Sequence, residues 1–382
     1  MRPADTAGGQ AASWPPSSPS SSRAFLPLLD PLRILASVAV VRHHVRQDFL
    51  FGVGFGLPLF LVVLFALAAT SARRESLARF VGRKARYLLV PWLRWSLIYL
   101  AIVSGADLAR GLGPAHRLEP AMLLYGGHRA LWFLPFAVLA LVPTKALART
   151  LARTPPASAR IAVVAAGALG ALTTNVAAVL LLEGDLADMP WRAWLRPSPA
   201  IFWGLALAQC LRFRATRPRA LALLGVGLLA VASWALSPWR GLGEDLTLRF
   251  AVAVPLACLG FAVHAPVPSF VRAVAGVTFG VYLIHPLVGK VLGDAFDASA
   301  WPASVHTAAA WGLAAAGVVA LRRAGVRWHE CAARADHDPS SRARSRSGSR
   351  PWTKSSIERR TSTWGSSVGG SASSSVRSKR VE

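Results

Sequence analysis

Ten apolar runs punctuate the chain, near residues 27–45, 50–70, 87–105, 129–146, 160–182, 197–211, 218–237, 249–265, 272–292 and 301–321. Most approach the ~20 residues that carry a helix across a bilayer, and short polar segments separate them. The pattern predicts an all-α fold, a polytopic membrane bundle of about ten transmembrane helices. The sixth run is short and the first is interrupted by Asp30, Arg33 and Arg42, so hydropathy alone secures neither. Residues 1–25 read as a disordered leader and 326–382 as a disordered basic Ser/Arg-rich tail, leaving 26–325 for the membrane domain. The tail carries runs such as Ser345-Arg346-Ser347-Gly348-Ser349-Arg350 and lacks the apolar content to fold alone.

Loop charge tests the topology independently, because short cytoplasmic loops hold an excess of Lys and Arg. With the N-terminus inside, one set of loops carries Arg73, Arg74, Arg79, Arg83, Lys84 and Arg86, then Lys145, Arg149, Arg153 and Arg160, then Arg212, Arg214, Arg217 and Arg219, then Arg272. Glu75 is the only acid among them. The other set gathers Asp48, Asp107, Glu119, Glu183, Asp185, Asp188, Glu244, Asp245, Asp294 and Asp297 beside a smaller number of arginines. An even number of crossings returns the C-terminus to the cytoplasm, so both termini are expected there and the location is a cell membrane. The basic tail then rests in solvent or against anionic headgroups.

Composition agrees. Hydrophobic residues make up 53% of the 382 and charged residues 16%, above and below the ordinary shares of 45–50% and about a quarter, and the mean hydropathy is +0.42. The net charge of +25 suggests nucleic acid at first sight, but the 61 residues from Arg322 onward hold 14 of the 43 basic residues. The rest sit where membrane topology puts them, and no nucleic-acid partner is expected. Cys210 and Cys258 fall in apolar runs and Cys331 in the tail, so neither a disulfide framework nor a metal-ligand spacing is present.

Ionisable groups at membrane depth carry the most information, each costing on the order of 2.5–3.5 kcal/mol unless paired or facing a polar cavity. The first helix holds Asp30, Arg33, Arg42, His43 and His44. Arg33 and His44 are eleven residues apart, about 20° from one face and roughly 16 Å along the axis, so one stripe can connect the two halves of the bundle. The alternative is that Arg33 snorkels to the inner headgroups while both histidines sit at the outer interface. In the third helix Arg79, Arg83 and Arg86 fall near one face. Such a row can clamp phosphates through forked guanidinium donors, or can serve as ordinary positive-inside anchoring. Pro91 lies in the first turns of that helix, and Arg94, one turn further on, reads as a buried cation.

Taken in order, these segments resemble the acyltransferase 3 family of integral-membrane O-acyltransferases. Leu29-Asp30-Pro31-Leu32-Arg33 is similar to its opening L-D-x-L-R, and His44 completes its arginine–histidine spacing with ten residues between. Gly56-Leu57-Pro58-Leu59-Phe60, the R-x-x-R of Arg83-Lys84-Ala85-Arg86, Pro91-Trp92 and Leu131-Trp132-Phe133-Leu134-Pro135 follow. Phe279-Gly280-Val281-Tyr282-Leu283-Ile284-His285-Pro286 resembles its closing Y-L-I-H-P helix. One departure stands: where the family has Phe-Phe-x-x-Ser-Gly-Phe, this chain has Phe60-Leu61-Val62-Val63-Leu64-Phe65-Ala66. A hydroxyl is lost and the space a glycine leaves is filled.

The resemblance implies transfer of an acyl group, acetyl in particular, from cytoplasmic acyl-CoA to a hydroxyl of a carbohydrate, lipid-linked sugar or other secondary metabolite. No permanently bound cofactor or metal is implied, and acyl-CoA enters as the donor substrate. His44 is then the candidate base, with His43 competing, because imidazole removes a hydroxyl proton near neutral pH. Arg33 orients or polarises a reacting group, and Arg83 and Arg86 hold the CoA phosphates. His285 reads as structural: Pro286 frees a carbonyl that an imidazole can satisfy. A transporter, or a catalytically degenerate relative sustained by Leu64-Phe65, are the competing readings.

Overall fold

A computed structural model of the chain describes residues 28–45, 54–71, 75–113, 122–151, 157–182, 192–213, 216–237, 246–263, 265–296 and 300–325. The leader 1–25 and the tail 326–382 lie outside them. Among the described residues every regular element is helical: α1 (Leu29–Val45), α2 (Gly56–Thr70), α3 (Leu77–Ala109), α4 (Met122–Tyr125), a 3-10 turn (Arg129–Leu131), α5 (Phe133–Leu151), α6 (Ala157–Leu182), α7 (Arg192–Leu195), α8 (Pro199–Cys210), α9 (Thr216–Ala235), α10 (Leu246–Ala262), α11 (Ser269–Phe296) and α12 (Ala303–Arg323). Apart from the single-turn α4 and α7, each helix coincides with one of the ten apolar runs.

Among the described residues, five segments are long and apolar enough to cross a membrane: Leu77–Ala109, Arg129–Leu151, Thr216–Ala235, Ser269–Phe296 and Ala303–Arg323. Their outward faces are apolar. On α9, Leu221, Leu224 and Leu228 point out while Leu223, Val226, Gly227 and Ala230 point in. Contiguous exposed leucine of this kind belongs against lipid rather than water. α1, α2, α8 and α10, with 17, 15, 12 and 17 residues, reach about 26, 23, 18 and 26 Å, short of a ~30 Å hydrocarbon core.

The short helices are central. α1 packs on α2, α10, α11 and α12, and α2 on α1, α5, α8 and α10. α2 is apolar all round and buries most of its side chains, as an interior helix must. Gly56 at its start lets it approach α1 closely, since a Cβ there would lie 2.4 Å from the Ala36 carbonyl oxygen. α12 is tied to α1 by the Trp311 indole, which donates to the Ser37 hydroxyl at 2.9 Å.

α3 begins earlier than its apolar run. The Ser76 side chain caps it by accepting from the Arg79 N–H at 3.3 Å, so the whole Arg79–Arg86 row is helical. The helix continues through Pro91 with Leu88, Pro91, Trp95, Ser96 and Tyr99 facing inward. Arg94 lies off that stripe, between the outward Leu93 and Leu97, and is exposed. The expectation that it is buried is therefore corrected: the partner of α3 covers only one narrow face.

Candidate active site

Two cavities are stacked along α1, and Val40, Leu57 and Tyr282 line both. The one toward the start of α1 has a volume of about 30 Å³, room for two waters at the ~10–15 Å³ each requires. Arg33, Ser37 and Thr278 supply its polar lining, and Phe60, Phe133 and Phe279 its walls. The Arg33 side chain is 40% exposed and its Nη1 stands 3.5 Å from Asp30 Oδ1, the i,i+3 pair its spacing anticipates.

The second cavity, about 170 Å³, occupies the space left by the end of α1 and the starts of α2 and α10. His43 and His44 enter it from α1, Gly54 and Pro58 from the approach to α2, Trp132 from the turn before α5, Arg196 from the turn after α7, and Arg249 from the first turn of α10. Arg33 and His44 thus lie on one side of α1, one on each cavity. His43 is half-buried at the same site, its Nδ1 3.3 Å from where a Cβ on Gly54 would stand, and the Arg249 Cζ is equally close. With φ at +65°, position 54 is strained for any residue with a side chain. Glycine there brings guanidinium and imidazole against the same small volume.

Tyr282 forms the partition between the cavities. Its hydroxyl donates to the Ala130 carbonyl, and its ring meets Phe133 edge-on at 4.2 Å. The neighbouring Leu283 carbonyl accepts from the Tyr99 hydroxyl at 2.9 Å, so α3 and α11 are pinned at this level.

His285 lies behind His44, ring centroids 5.0 Å apart. Pro286 cannot donate to the carbonyl four residues earlier, that of Tyr282. The His285 Nδ1 stands 2.7 Å from that same oxygen and satisfies it, as the sequence suggests. Because a carbonyl only accepts, Nδ1 carries the proton and Nε2 is left as an acceptor. That Nε2 is buried without a hydrogen-bond partner among the described residues, in a side chain 2% exposed.

His128 does not line either cavity. Its Nδ1 accepts from the Ala130 N–H at 3.1 Å, capping the 3-10 turn, and its ring stacks near Tyr99 at 4.8 Å. Burial pushes its pKa down, which keeps Nδ1 free to accept.

At the Arg33 end, the two expected clamp residues, one turn apart on α3, differ in their surroundings. Arg83 pairs with Glu75, whereas Arg86 is exposed and makes no ion pair among the described residues. Glu75 is the centre of a wider group. Arg149 donates to its carbonyl, and Lys145, 0% exposed, donates to the Ser71 carbonyl at 2.8 Å with its ammonium 4.1 Å from the Phe80 ring. The lysine thus closes the end of α2, where the helix dipole is negative. Tyr87, one turn beyond Arg83, stacks on Phe279 of the inner cavity at 5.8 Å, and the Lys84 ammonium lies 5.9 Å from the centre of the same Tyr87 ring. A route of cationic and aromatic groups therefore runs from the Arg83 turn to Arg33.

Lys145, Tyr99, Arg196 and Arg249 were not legible as site or scaffold residues, because their partners are remote in sequence. The departure at Leu64-Phe65 is also placed. Phe65 is fully buried against α8 at Gly204, where a Cβ would come within 2.6 Å of the Phe65 Cβ, and neither Leu64 nor Phe65 lines either of these two cavities.

A family model described as an acyltransferase domain matches residues 27–322, most of the chain. No curated protein and no solved structure matches it.

Proposed function

The chain belongs to the acyltransferase 3 family, and from that premise we propose that it moves an acetyl or other acyl group from cytoplasmic acyl-CoA to a hydroxyl of a carbohydrate or other acceptor on the far side of the membrane. Membership makes it a membrane acyltransferase; donor, acyl group and acceptor are our reading. The observation that carries it is the pair of adjoining cavities, one holding Arg33 and the other His44.

In this reading ten helices cross the bilayer with both termini in the cytoplasm. Support comes from the ends of the helices: Arg33, Lys145, Arg149 and Arg322 belong to the end that includes the start of α3, where cytoplasmic cations are expected. Of the central helices too short to span hydrocarbon, α1, α2 and α10 border the cavities, where irregular backbone is tolerated because it faces protein or water.

The acceptor occupies the outer cavity with its hydroxyl against His44. His44 takes the hydroxyl proton as the oxygen attacks the thioester carbonyl; the tetrahedral intermediate collapses, the carbon–sulfur bond breaks, and CoA leaves as thiolate to take up a proton. Arg33, on the inner cavity and roughly 16 Å down the same helix, orients the donor as its arm passes that cavity. At about 30 Å³ this cavity admits the arm only when Tyr282 or the flanking phenylalanines move.

The test is incubation of purified full-length protein in proteoliposomes with labelled acetyl-CoA and a membrane glycan extract. Labelled product and released CoA are expected, while solute flux without transfer would assign a transporter instead. Arg86→Gln is expected to raise the donor KM about three- to tenfold, the modest effect of one exposed charge-assisted contact. Arg83→Gln combines such a loss with release of Glu75, so Arg86 is the cleaner probe, and an unchanged donor KM would remove it from the phosphate site.

A further inference from the structure

We propose that His285 is a positioning residue for the base: its Nε2 accepts a hydrogen bond from the His44 ring, fixing the tautomer of that ring so that its second nitrogen meets the outer cavity unprotonated. This rests on the reading of His44 as the base, and it gives His285 a part beyond satisfying the backbone at Pro286.

The direction of the bond follows from the sequence. Pro286 lacks an N–H, so the Tyr282 carbonyl four residues earlier has no helical donor, and the His285 Nδ1, 2.7 Å away, supplies one. With its proton placed there, a neutral imidazole offers Nε2 only as an acceptor. That nitrogen is buried without a hydrogen-bond partner among the described residues, in a side chain 2% exposed. A buried acceptor left unpaired is costly, and native interiors rarely keep one. The neighbouring hydroxyls are already used: Tyr282 donates to the Ala130 carbonyl and Tyr99 to the Leu283 carbonyl. The rings in contact with His285 among the described residues are those of Tyr282 and His44, and of these two His44 has a ring N–H to give. Two imidazoles joined by a nitrogen-to-nitrogen bond of about 2.9 Å have ring centres about 5 Å apart; these centres are 5.0 Å apart, with the planes tilted by 44°. Rotation of the His44 ring about its soft terminal torsion aligns the N–H with Nε2, and the ring, exposed on the cavity wall, has room to turn.

His285 takes no proton in the reaction. The cavity-facing nitrogen of His44 receives the acceptor's hydroxyl proton, and the resulting imidazolium keeps its other N–H on His285, in a bond that strengthens as its donor becomes charged. The proton then passes to the departing thiolate, which returns His44 to its starting tautomer. A base oriented by a second group in this way stays aimed at the reacting hydroxyl.

Two substitutions separate this role from a structural one, because asparagine and glutamine each reproduce one half of the imidazole. In His285→Asn the amide nitrogen takes the place of Nδ1 and still donates to the Tyr282 carbonyl, but nothing stands where Nε2 was. In His285→Gln the amide oxygen stands near the place of Nε2 and accepts from His44, while the carbonyl bond is lost. With full-length protein in proteoliposomes, acetyl-CoA and a membrane glycan extract, His285→Asn is expected to lower kcat about tenfold to a hundredfold, with the donor KM within about twofold of the parent. His285→Gln should recover most of that loss while unfolding at a lower temperature. Parental kcat in His285→Asn, or losses in both variants that follow their thermal midpoints, overturns the proposal. Independently of turnover, solid-state NMR of protein carrying isotope-labelled histidine should show a correlation between a protonated ring nitrogen of His44 and an unprotonated one of His285, absent from His44→Ala and from His285→Asn. A parent protein without that correlation overturns the proposal whatever the kinetics. The correlation in protein that transfers no acyl group upholds the pairing of the two rings and overturns the acyl-transfer reading instead.

Discussion

His44→Ala is expected to lower the rate of acyl transfer by about 10²–10⁴-fold, the range a positioned general base supplies, in protein that inserts normally and keeps its donor KM. The imidazole stands on the wall of the outer cavity, at the last turn of α1, so truncation removes no interior packing of consequence. His285, 5.0 Å behind it, does not substitute, because it is only 2% exposed and lines neither of the two cavities. His43→Ala is expected to cost less. Its ring and the Arg249 guanidinium both stand against Gly54 on the cavity wall, so its loss falls mainly on acceptor KM, whereas the loss at His44 falls on kcat. The contrast is measured by varying donor and acceptor separately with each single variant. If His43→Ala abolishes turnover while His44→Ala spares it, the two assignments exchange; if both retain full kcat, the base lies elsewhere and the cavity is not the reaction centre.

That experiment distinguishes neighbours that spacing alone treats as alternatives, and it shows where the sequence was informative. Relations within one helix were legible: the ten runs became helices, the Arg33–Asp30 pair formed, Arg33 and His44 reached a common side of α1, and His285 met the carbonyl that Pro286 freed. All of these follow from helical periodicity, which any sequence displays. Relations between helices were not. The Lys145–Ser71 bond joins residues 74 apart and the Tyr99–Leu283 bond residues 184 apart, and no local pattern encodes either. Glu75 was visible as the sole acid among the inner cations, but not as the partner of Arg83. Arg94 was misjudged for the same reason, since depth along a helix says nothing about which face its neighbours cover.

The departure from the family pattern yields a test of the opposite kind, on packing rather than chemistry. Phe65→Ala is expected to destabilise the folded protein by about 3 kcal/mol, the low end of the range for phenylalanine truncation in a core. The low end applies because the reference is a helix already in lipid, so the transfer contribution shrinks, while the lost dispersion contacts and the residual hole remain. Those contacts are specific: Phe65 is fully buried, meets Phe136 edge-on at 6.4 Å, and fills the surface exposed by Gly204 of α8. The family's Gly-Phe order is here Phe65-Ala66, so bulk and gap have exchanged places along α2 and the glycine that permits close approach stands on α8. Leu64→Ser, half-buried, should cost far less. Neither position lines either of the two stacked cavities, so kcat per folded molecule should stay within about twofold of the parent in Phe65→Ala, with the loss confined to the unfolding midpoint in detergent. A variant of parental stability with altered acceptor preference would show instead that Phe65 shapes the pocket, and the degenerate-relative reading would regain its ground.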